Sequence, residues 1–204
     1  MGLSLKNVEV TIKENDKAIV YKNFGEMLFT HFGVSGPLVL SASSHMRDYS
    51  LHKYRLSIDL KPGLSGQQLD ERILRDFKKY TNREFQNALT DLAGRTMIPV
   101  LVRLSGIPEE TKVNSITKKQ RQELVRLFKN FPINVVEPCP VSDAIITSGG
   151  INIREIDPKT MSSKLIKGLY FAGEIIDVDA YTGGFNLQIA WSTAYTAAKS
   201  VEID

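Results

Sequence analysis

Cysteine and histidine are scarce in this sequence, and their scarcity excludes several kinds of site. Cys139 is the single cysteine, so an internal disulfide is impossible. Its neighbours are Pro138 and Pro140, and neither supplies the positive charge that would activate the thiol, so we expect a structural cysteine rather than a nucleophile. The only histidines are His31, His45 and His52, whose spacing matches no zinc-binding pattern. No metal site is therefore predicted.

Long apolar runs are also missing. No stretch approaches the roughly 18 uninterrupted apolar residues that suggest a transmembrane helix. The opening residues, MGLSLKNVEV, lack the basic stretch followed by an apolar core that defines a signal peptide. The sequence therefore predicts no membrane attachment and no export, and it favours a cytoplasmic protein.

Excess charge of one sign is small, because the formal net charge is only +3. With 42% hydrophobic and 24% charged residues, the composition is that of an ordinary globular protein able to bury a core. One basic cluster lies on a predicted helix, at Lys118, Lys119, Arg121, Arg126 and Lys129. No aromatic residue is interleaved on its polar side, which is typical of a solvated helix face, so no nucleic-acid partner is predicted.

Strand patterns dominate the beginning of the chain. The segments LSLKNVEVTI and AIVYKNF flank the polar turn at residues 14–17 and predict a hairpin. YRLSIDL, from Tyr54 to Leu60, alternates in the same way and ends at Lys61-Pro62-Gly63. Between them, SGPLVLSASSHM predicts a short helix that begins near Pro37.

The middle of the chain has a helical period. Ser65 with Gln68 and Thr117 with Gln120 have the spacing of capping boxes at two helix starts. Shorter helical pieces between them end at Gly94 and Gly106, and strand character returns at FPINVVEP and DAIITSGGINIREI. We predict an α+β fold with a β-barrel-like module at residues 1–62 and 131–155, a helical subdomain inserted at 63–130, and a C-terminal piece at 156–204.

The C-terminal piece carries the strongest candidate for a binding site. LYFA is typical of a buried strand, and Glu174 follows Gly173 at the predicted carboxyl end of that strand. Gly183-Gly184 then leads into a predicted helix whose first amides, at Phe185 and Asn186, can stabilise negative charge. The alternative is a strand-turn-helix with glycines for the turn alone, and the residues themselves favour neither.

Three ordered motifs resemble one protein family. GLYFAGEIIDVDAYTGGFNLQIAWSTAYTAA, DAIITSGGINIREIDPKTMSSK and GEMLFTHFGVSGPLVL are similar to the C-terminal half of the BaiN/YhiN-like family of FAD-dependent oxidoreductases. The resemblance implies an antiparallel barrel and a helical insert that interrupt a Rossmann-type FAD domain, whose last strand and helix return at the C-terminus. It also implies that the parent protein passes a hydride between NAD(P)H and an unknown small-molecule substrate through FAD.

The resemblance also assigns site residues. Gly173 and Glu174 would lie near the ribityl chain of the flavin, with Asp177 as a second polar candidate. The amides of Gly183, Gly184, Phe185 and Asn186 would face the pyrimidine edge of the isoalloxazine. Thr147, Gly149 and Gly150 would lie where the insert rejoins the flavin domain. His31 in the barrel motif is a weaker candidate for a substrate-facing catalytic residue.

One part of the family pattern is not found in this sequence. It contains no G-x-G-x-x-G turn for the pyrophosphate. We therefore expect a fragment that needs an N-terminal Rossmann-type FAD domain as its partner, binds no FAD by itself and is inactive in isolation. The alternative, from another functional class, is an autonomous binding or interaction module without catalysis.

Overall fold

Alternating apolar residues form a long antiparallel hairpin in the computed structural model, which describes residues 2–201. Strand β1 spans Leu3–Glu14 and β2 spans Ala18–Phe29. In the turn, Asn15 and Asp16 have φ angles of 50° and 57°, a left-handed conformation that both side chains tolerate. The backbone N–H of Lys17 closes the turn on the carbonyl of Glu14 at 3.0 Å, so the predicted hairpin is confirmed.

The hairpin belongs to a five-stranded antiparallel sheet with the order β3-β2-β1-β4-β5. The remaining strands are β3 (Val34–Ser35), β4 (Tyr54–Asp59) and β5 (Phe131–Val135). Pairing of β1 with β2 shifts register twice, and such bulges bend and twist a sheet. The result is a curled half-barrel, which confirms the predicted barrel-like module.

Six α-helices accompany the sheet in the described part of the chain. They are α1 (Pro37–Ser43), α2 (Gly66–Lys79), α3 (Phe85–Ala88), α4 (Ile98–Ser105), α5 (Lys118–Lys129) and α6 (Phe185–Ser200). Both predicted capping boxes are present. The Ser65 hydroxyl accepts from the Gln68 amide at 3.2 Å, while the Gln68 side chain accepts from the Ser65 amide at 2.8 Å. Gly106 ends α4 in a left-handed conformation, as the sequence predicts.

Helix α5 is held against its neighbours by apolar packing and by ion pairs. Leu124 and Phe128 are fully buried. Arg121 donates to both carboxylate oxygens of Asp70 on α2, at 2.6 and 3.2 Å. The Lys129 ammonium pairs with Asp59 at the end of β4 and also donates to two backbone carbonyls. Much of the basic cluster predicted on this helix is therefore bound within the protein.

The chain divides into two compact units. The first contains the chain up to Ala42 together with Asp48–Val136, which includes the sheet and helices α2 to α5. The second contains Ser43–Arg47 and the chain from Glu137 onward. The sequence-based division at residues 62, 131 and 155 stays a prediction.

The second unit has less strand than the sequence predicts. Tyr170 of LYFA makes only a single bridge with Ser162, and DAIITSGGINIREI contributes two isolated bridges, a parallel one between Ile151 and Ile176 and an antiparallel one between Ile156 and Ser163. An apolar run forms a strand only where a neighbouring strand accepts its backbone hydrogen bonds, and the described residues of this unit provide no such neighbour. The predicted strands in these two segments are therefore wrong for this chain.

The core of the second unit is small. Ile156, Met161, Ile176 and Ala197 are buried there, and Tyr170 packs against them. The Tyr170 hydroxyl donates to the Ser200 carbonyl at 2.9 Å, which fixes the end of α6 to the body of the unit. Across residues 2–201, no helix has both the length and the apolar character needed to cross a membrane.

Replacing Ser65 tests the contribution of its capping box. We expect Ser65→Ala to lower the free energy of unfolding by about 1 kcal/mol, because an N-terminal amide of α2 loses its acceptor. Urea unfolding followed by circular dichroism measures the loss. Ser50→Ala is the matched control, because Ser50 is an exposed turn residue. Equal losses in the two variants would show that the capping box contributes nothing.

Candidate functional site

Helix α6 begins at a glycine turn without a side-chain cap. Gly183 and Gly184 have φ angles of 122° and 88°, which strongly favour glycine. Gly184 is the N-cap residue, and no side chain accepts from the first amides of the helix. Those amides carry the positive end of the helix dipole, so this end of α6 can stabilise negative charge on a bound group.

Asn186 fixes the loop that precedes the turn. Its side-chain oxygen accepts from the backbone N–H of Ala180 at 2.8 Å, and its side-chain nitrogen donates to the Ala180 carbonyl at 2.9 Å. The side chain of Asn186 is therefore engaged within the protein. What remains for a ligand is the backbone amide, the group that the sequence analysis assigned to the flavin ring.

The TSGG loop (residues 147–150) lies directly against residues 173–177, the segment that follows LYFA (residues 169–172). Gly150 has a φ angle of 138°, and a Cβ atom added there would meet the Ile175 carbonyl oxygen at 2.4 Å. Two hydrogen bonds flank this approach, from the Ile151 N–H to the Ile175 carbonyl at 2.8 Å and from the Asp177 N–H to the Ile151 carbonyl at 3.0 Å. Only glycine allows the two backbones to come this close.

The segment after LYFA is also tied to α6. The Gly173 N–H donates to the Thr193 hydroxyl at 3.0 Å, and Gly173–Ile175 forms a single turn of 3₁₀ helix. The side chains of Glu174 and Asp177 are exposed. The structure thus brings together, within one unit, the three segments that the sequence assigned to the cofactor. The roles of their residues stay a prediction.

One polar cluster was not predicted from the sequence. It consists of His45, Arg47, Ser148, Asp179 and Tyr181. The Nε2 atom of His45 lies 2.5 Å from the Tyr181 hydroxyl. Arg47 donates to the Ser148 hydroxyl at 3.4 Å, and that hydroxyl donates to Asp179 at 3.5 Å. No local motif signals this cluster, because His45 and Arg47 come from a segment far upstream that only folding brings to the C-terminal residues.

His31 lies in the first unit. Its ring is exposed and packs edge-on against Phe32, with 5.0 Å between the ring centroids. Its assignment as a substrate-facing residue stays a prediction.

The exposed glycine backbone fits the ring end of a flavin. A Cβ atom added at Gly149 or Gly184 would meet no atom within 4 Å, so the backbone at both positions is open to a flat ligand. The uncapped amides of α6 suit the pyrimidine edge, where the reduced ring carries negative charge. Gly173, Glu174 and Asp177 supply polar groups within the same unit.

Comparison with known proteins identifies the family. A family model described as "HI0933-like protein barrel and H2TH domain" matches residues 1–146. The chain belongs to this HI0933-like family. The match covers the sheet and helices of the first unit and confirms the BaiN/YhiN-like assignment made from the three motifs.

Curated relatives extend the match into the second unit. The 3-dehydro-bile acid Δ(4,6)-reductase of Clostridium scindens is 28% identical over 186 residues, which is 90% of this chain and 46% of the relative. The ribosomal RNA dihydrouridine synthase of Haemophilus influenzae is 30% identical over 178 residues, which is 87% of this chain and 42% of the relative. The Escherichia coli protein of the same name is 29% identical over 177 residues, which is 86% of this chain and 42% of the relative. The chain thus spans less than half the length of these relatives.

Substitutions at two adjacent glycines test the close approach in the TSGG loop. Both Gly149→Ala and Gly150→Ala place a side chain at a positive φ angle, which costs about 1–3 kcal/mol. Only Gly150→Ala adds the clash with the Ile175 carbonyl. We therefore expect Gly150→Ala to lose at least about 1 kcal/mol more in the free energy of local opening.

Amide hydrogen exchange at Ile151 and Asp177 measures this opening, because both amides donate across the contact. Equal exchange rates in the two variants would contradict the close approach. Gly149→Ala is the matched control for backbone strain alone.

Proposed function

We propose that this chain is the barrel, the helical insert and the ring-facing segment of an FAD-dependent oxidoreductase. A Rossmann-type FAD domain outside this chain completes the protein. The observation that carries the proposal is the uncapped N-terminus of α6, which follows a glycine turn and shares its unit with the TSGG loop. A helix start of this kind stabilises negative charge, as the reduced flavin ring requires.

The proposed residues contact different parts of the cofactor. The amides of Gly183, Gly184, Phe185 and Asn186 bind the pyrimidine edge. Glu174 and Asp177 supply exposed polar groups toward the ribityl chain. When bound, FAD supplies hydride transfer between a nicotinamide and the substrate. This chain contributes orientation and charge stabilisation.

We further propose that the reaction saturates an activated C=C bond. One relative is named as a Δ(4,6)-reductase and two as dihydrouridine synthases. Each name describes the addition of hydrogen across a C=C bond, in a bile acid or in a uracil ring. In both compounds, a carbonyl group conjugated with the double bond can accept the negative charge that develops when a hydride adds.

The substrate of the complete protein is either a small molecule or RNA. Two relatives are named for acting on ribosomal RNA, so the sequence-based prediction of no nucleic-acid partner is not carried forward. The basic cluster on α5 gives RNA little support. Arg121, Arg126 and Lys129 of that cluster are engaged by carboxylates of the protein itself. This cluster therefore does not decide between a small molecule and RNA.

Flavin binding by two glycine variants tests the proposed site. The protein to use is this chain joined to the part of the E. coli relative that it does not match, where we expect the Rossmann-type FAD domain. We expect this protein to be purified as a yellow flavoprotein. Gly184→Ala should weaken FAD binding about tenfold, which corresponds to about 1.4 kcal/mol. Gly168→Ala is the matched control, because both glycines have similar φ angles (81° and 88°) and open surroundings. It should leave FAD binding unchanged.

Flavin absorbance and fluorescence measure the binding. A colourless joined protein that is nevertheless folded would contradict the proposed function. Micromolar binding of FAD by this chain alone would instead show that the site is complete without a second domain. Equal affinities in Gly184→Ala and Gly168→Ala would remove the α6 N-terminus from the site.

A further inference from the structure

Within the polar cluster, Tyr181 and His45 form a hydrogen bond, and this pair of side chains can act as a proton donor. The two residues are far apart in sequence, yet their polar atoms lie 2.5 Å apart and their rings are inclined at 51°. Phenols keep their proton at neutral pH, whereas imidazole exchanges its proton with water there. A phenol linked to an imidazole can therefore donate a proton and then be reloaded.

The backbone places Tyr181 at the candidate flavin-facing helix start. The preceding residue, Ala180, is held at both its N–H and its carbonyl by the side chain of Asn186 in the first turn of α6. Gly183 follows two residues later and begins the glycine turn. The chain at Tyr181 is therefore fixed to the same helix end that we assign to the flavin ring.

A second connection holds the two segments in register. His45 contacts Tyr181 directly, and two residues further along its segment Arg47 reaches Asp179 through the Ser148 hydroxyl. Position 45 is thus linked to position 181 and position 47 to position 179. Ser148 belongs to the TSGG loop, so the same connection includes another of the segments assigned to the cofactor. This arrangement orients His45 toward the Tyr181 hydroxyl.

The exposure of both side chains suits proton transfer. Tyr181 is 44% exposed and His45 is also exposed. A hydroxyl at the surface of the unit can meet a substrate, and an exposed imidazole can recover a proton from water.

We propose that Tyr181 is the proton donor of the reduction and that His45 reloads it, an inference that rests on the proposed function. In the balanced reaction, the hydride that originates from the reduced nicotinamide adds to the carbon β to the carbonyl and supplies both electrons. The O–H bond of Tyr181 breaks as its proton adds to the α carbon, and the C=C bond becomes a single bond. The resulting phenolate takes the Nε2 proton of a protonated His45 imidazole, and the neutral imidazole that remains regains a proton from water.

The first experiment separates the two half-reactions in the FAD-loaded protein, with this chain joined to its flavin domain. Stopped-flow absorbance follows flavin reduction by NADH or NADPH, and then flavin reoxidation by an alkene under anaerobic conditions. The alkene probes are 2-cyclohexen-1-one, a 3-oxo-Δ(4,6) bile acid and ribosomal RNA. Tyr181→Phe should slow reoxidation by about 10²- to 10⁴-fold, the usual contribution of a general acid, while flavin reduction stays unchanged.

Two further variants complete this experiment. His45→Gln should slow steady-state alkene reduction more than the first flavin reoxidation, because the phenolate loses the group that reloads it between turnovers. Tyr195→Phe is the matched control, since Tyr195 is an exposed tyrosine of α6 outside the polar cluster. It should leave both half-reactions unchanged.

The second experiment needs no activity. Nuclear magnetic resonance of the chain labelled with ¹⁵N-histidine reports the ring nitrogens of its three histidines. Tyr181→Phe should shift the Nε2 signal of His45, and Tyr195→Phe should leave it in place. The His45 signal is assigned from its loss in His45→Gln. An unchanged His45 signal in Tyr181→Phe would show that the hydrogen bond is absent in solution and would overturn the proposal.

The outcomes distinguish this inference from the proposed function. If the unaltered protein binds FAD and reduces an alkene probe, but Tyr181→Phe reoxidises flavin at the same rate, the proton donor is wrong and the proposed function stands. A Tyr181→Phe variant that slows both half-reactions equally would indicate a structural role and would also overturn the proposal. If the unaltered protein binds FAD but reduces none of the probes, C=C reduction is wrong, and the proton donor with it.

Discussion

The contact between the backbones of Gly150 and Ile175 is the constraint on which the candidate site depends. No side chain fits between them, since an added Cβ atom would lie 2.4 Å from a carbonyl oxygen. Because Ile151 and Asp177 donate across the same contact, it aligns the TSGG loop with the segment that leads to α6. The contact also sets where Ser148 lies, and through that hydroxyl it places Arg47 relative to Asp179. Apolar packing contributes less than this contact to holding the segments of the second unit together, because the core of the unit is small.

The two units hold their structure by different means. In the first unit, the strands of one sheet satisfy each other's backbone groups, and helices with complete caps pack apolar side chains into a shared core. In the second unit, single bridges, glycine turns and side-chain clamps such as Asn186 perform that function. Large apolar side chains remain on the surface of α6, including Trp191 at 69% exposed. A segment built in this way leaves backbone amides available to a ligand, whereas in a regular sheet those amides would donate to neighbouring strands.

The proposed chemistry follows from that availability. In the proposed site, the uncapped amides at the start of α6 would stabilise the negative charge of the reduced flavin and so favour its formation. We propose that a phenol in hydrogen-bond contact with an imidazole supplies the proton that the saturated C–C bond requires. In this proposal, the protein contributes electrostatics and proton transfer, and the cofactor contributes the hydride.

The sequence by itself determined the elements whose cause is local. Period-two alternation specified the hairpin, the polar turn specified its reversal, and the capping boxes at Ser65 and Thr117 specified two helix starts. Glycines before α6 marked its beginning for the same reason, since a positive φ angle is a property of single residues. Only the tertiary structure decided whether LYFA is a strand, because a strand requires a partner that the run itself does not encode. Only the tertiary structure also showed that His45 contacts Tyr181, because no pattern along the chain indicates which distant segments meet.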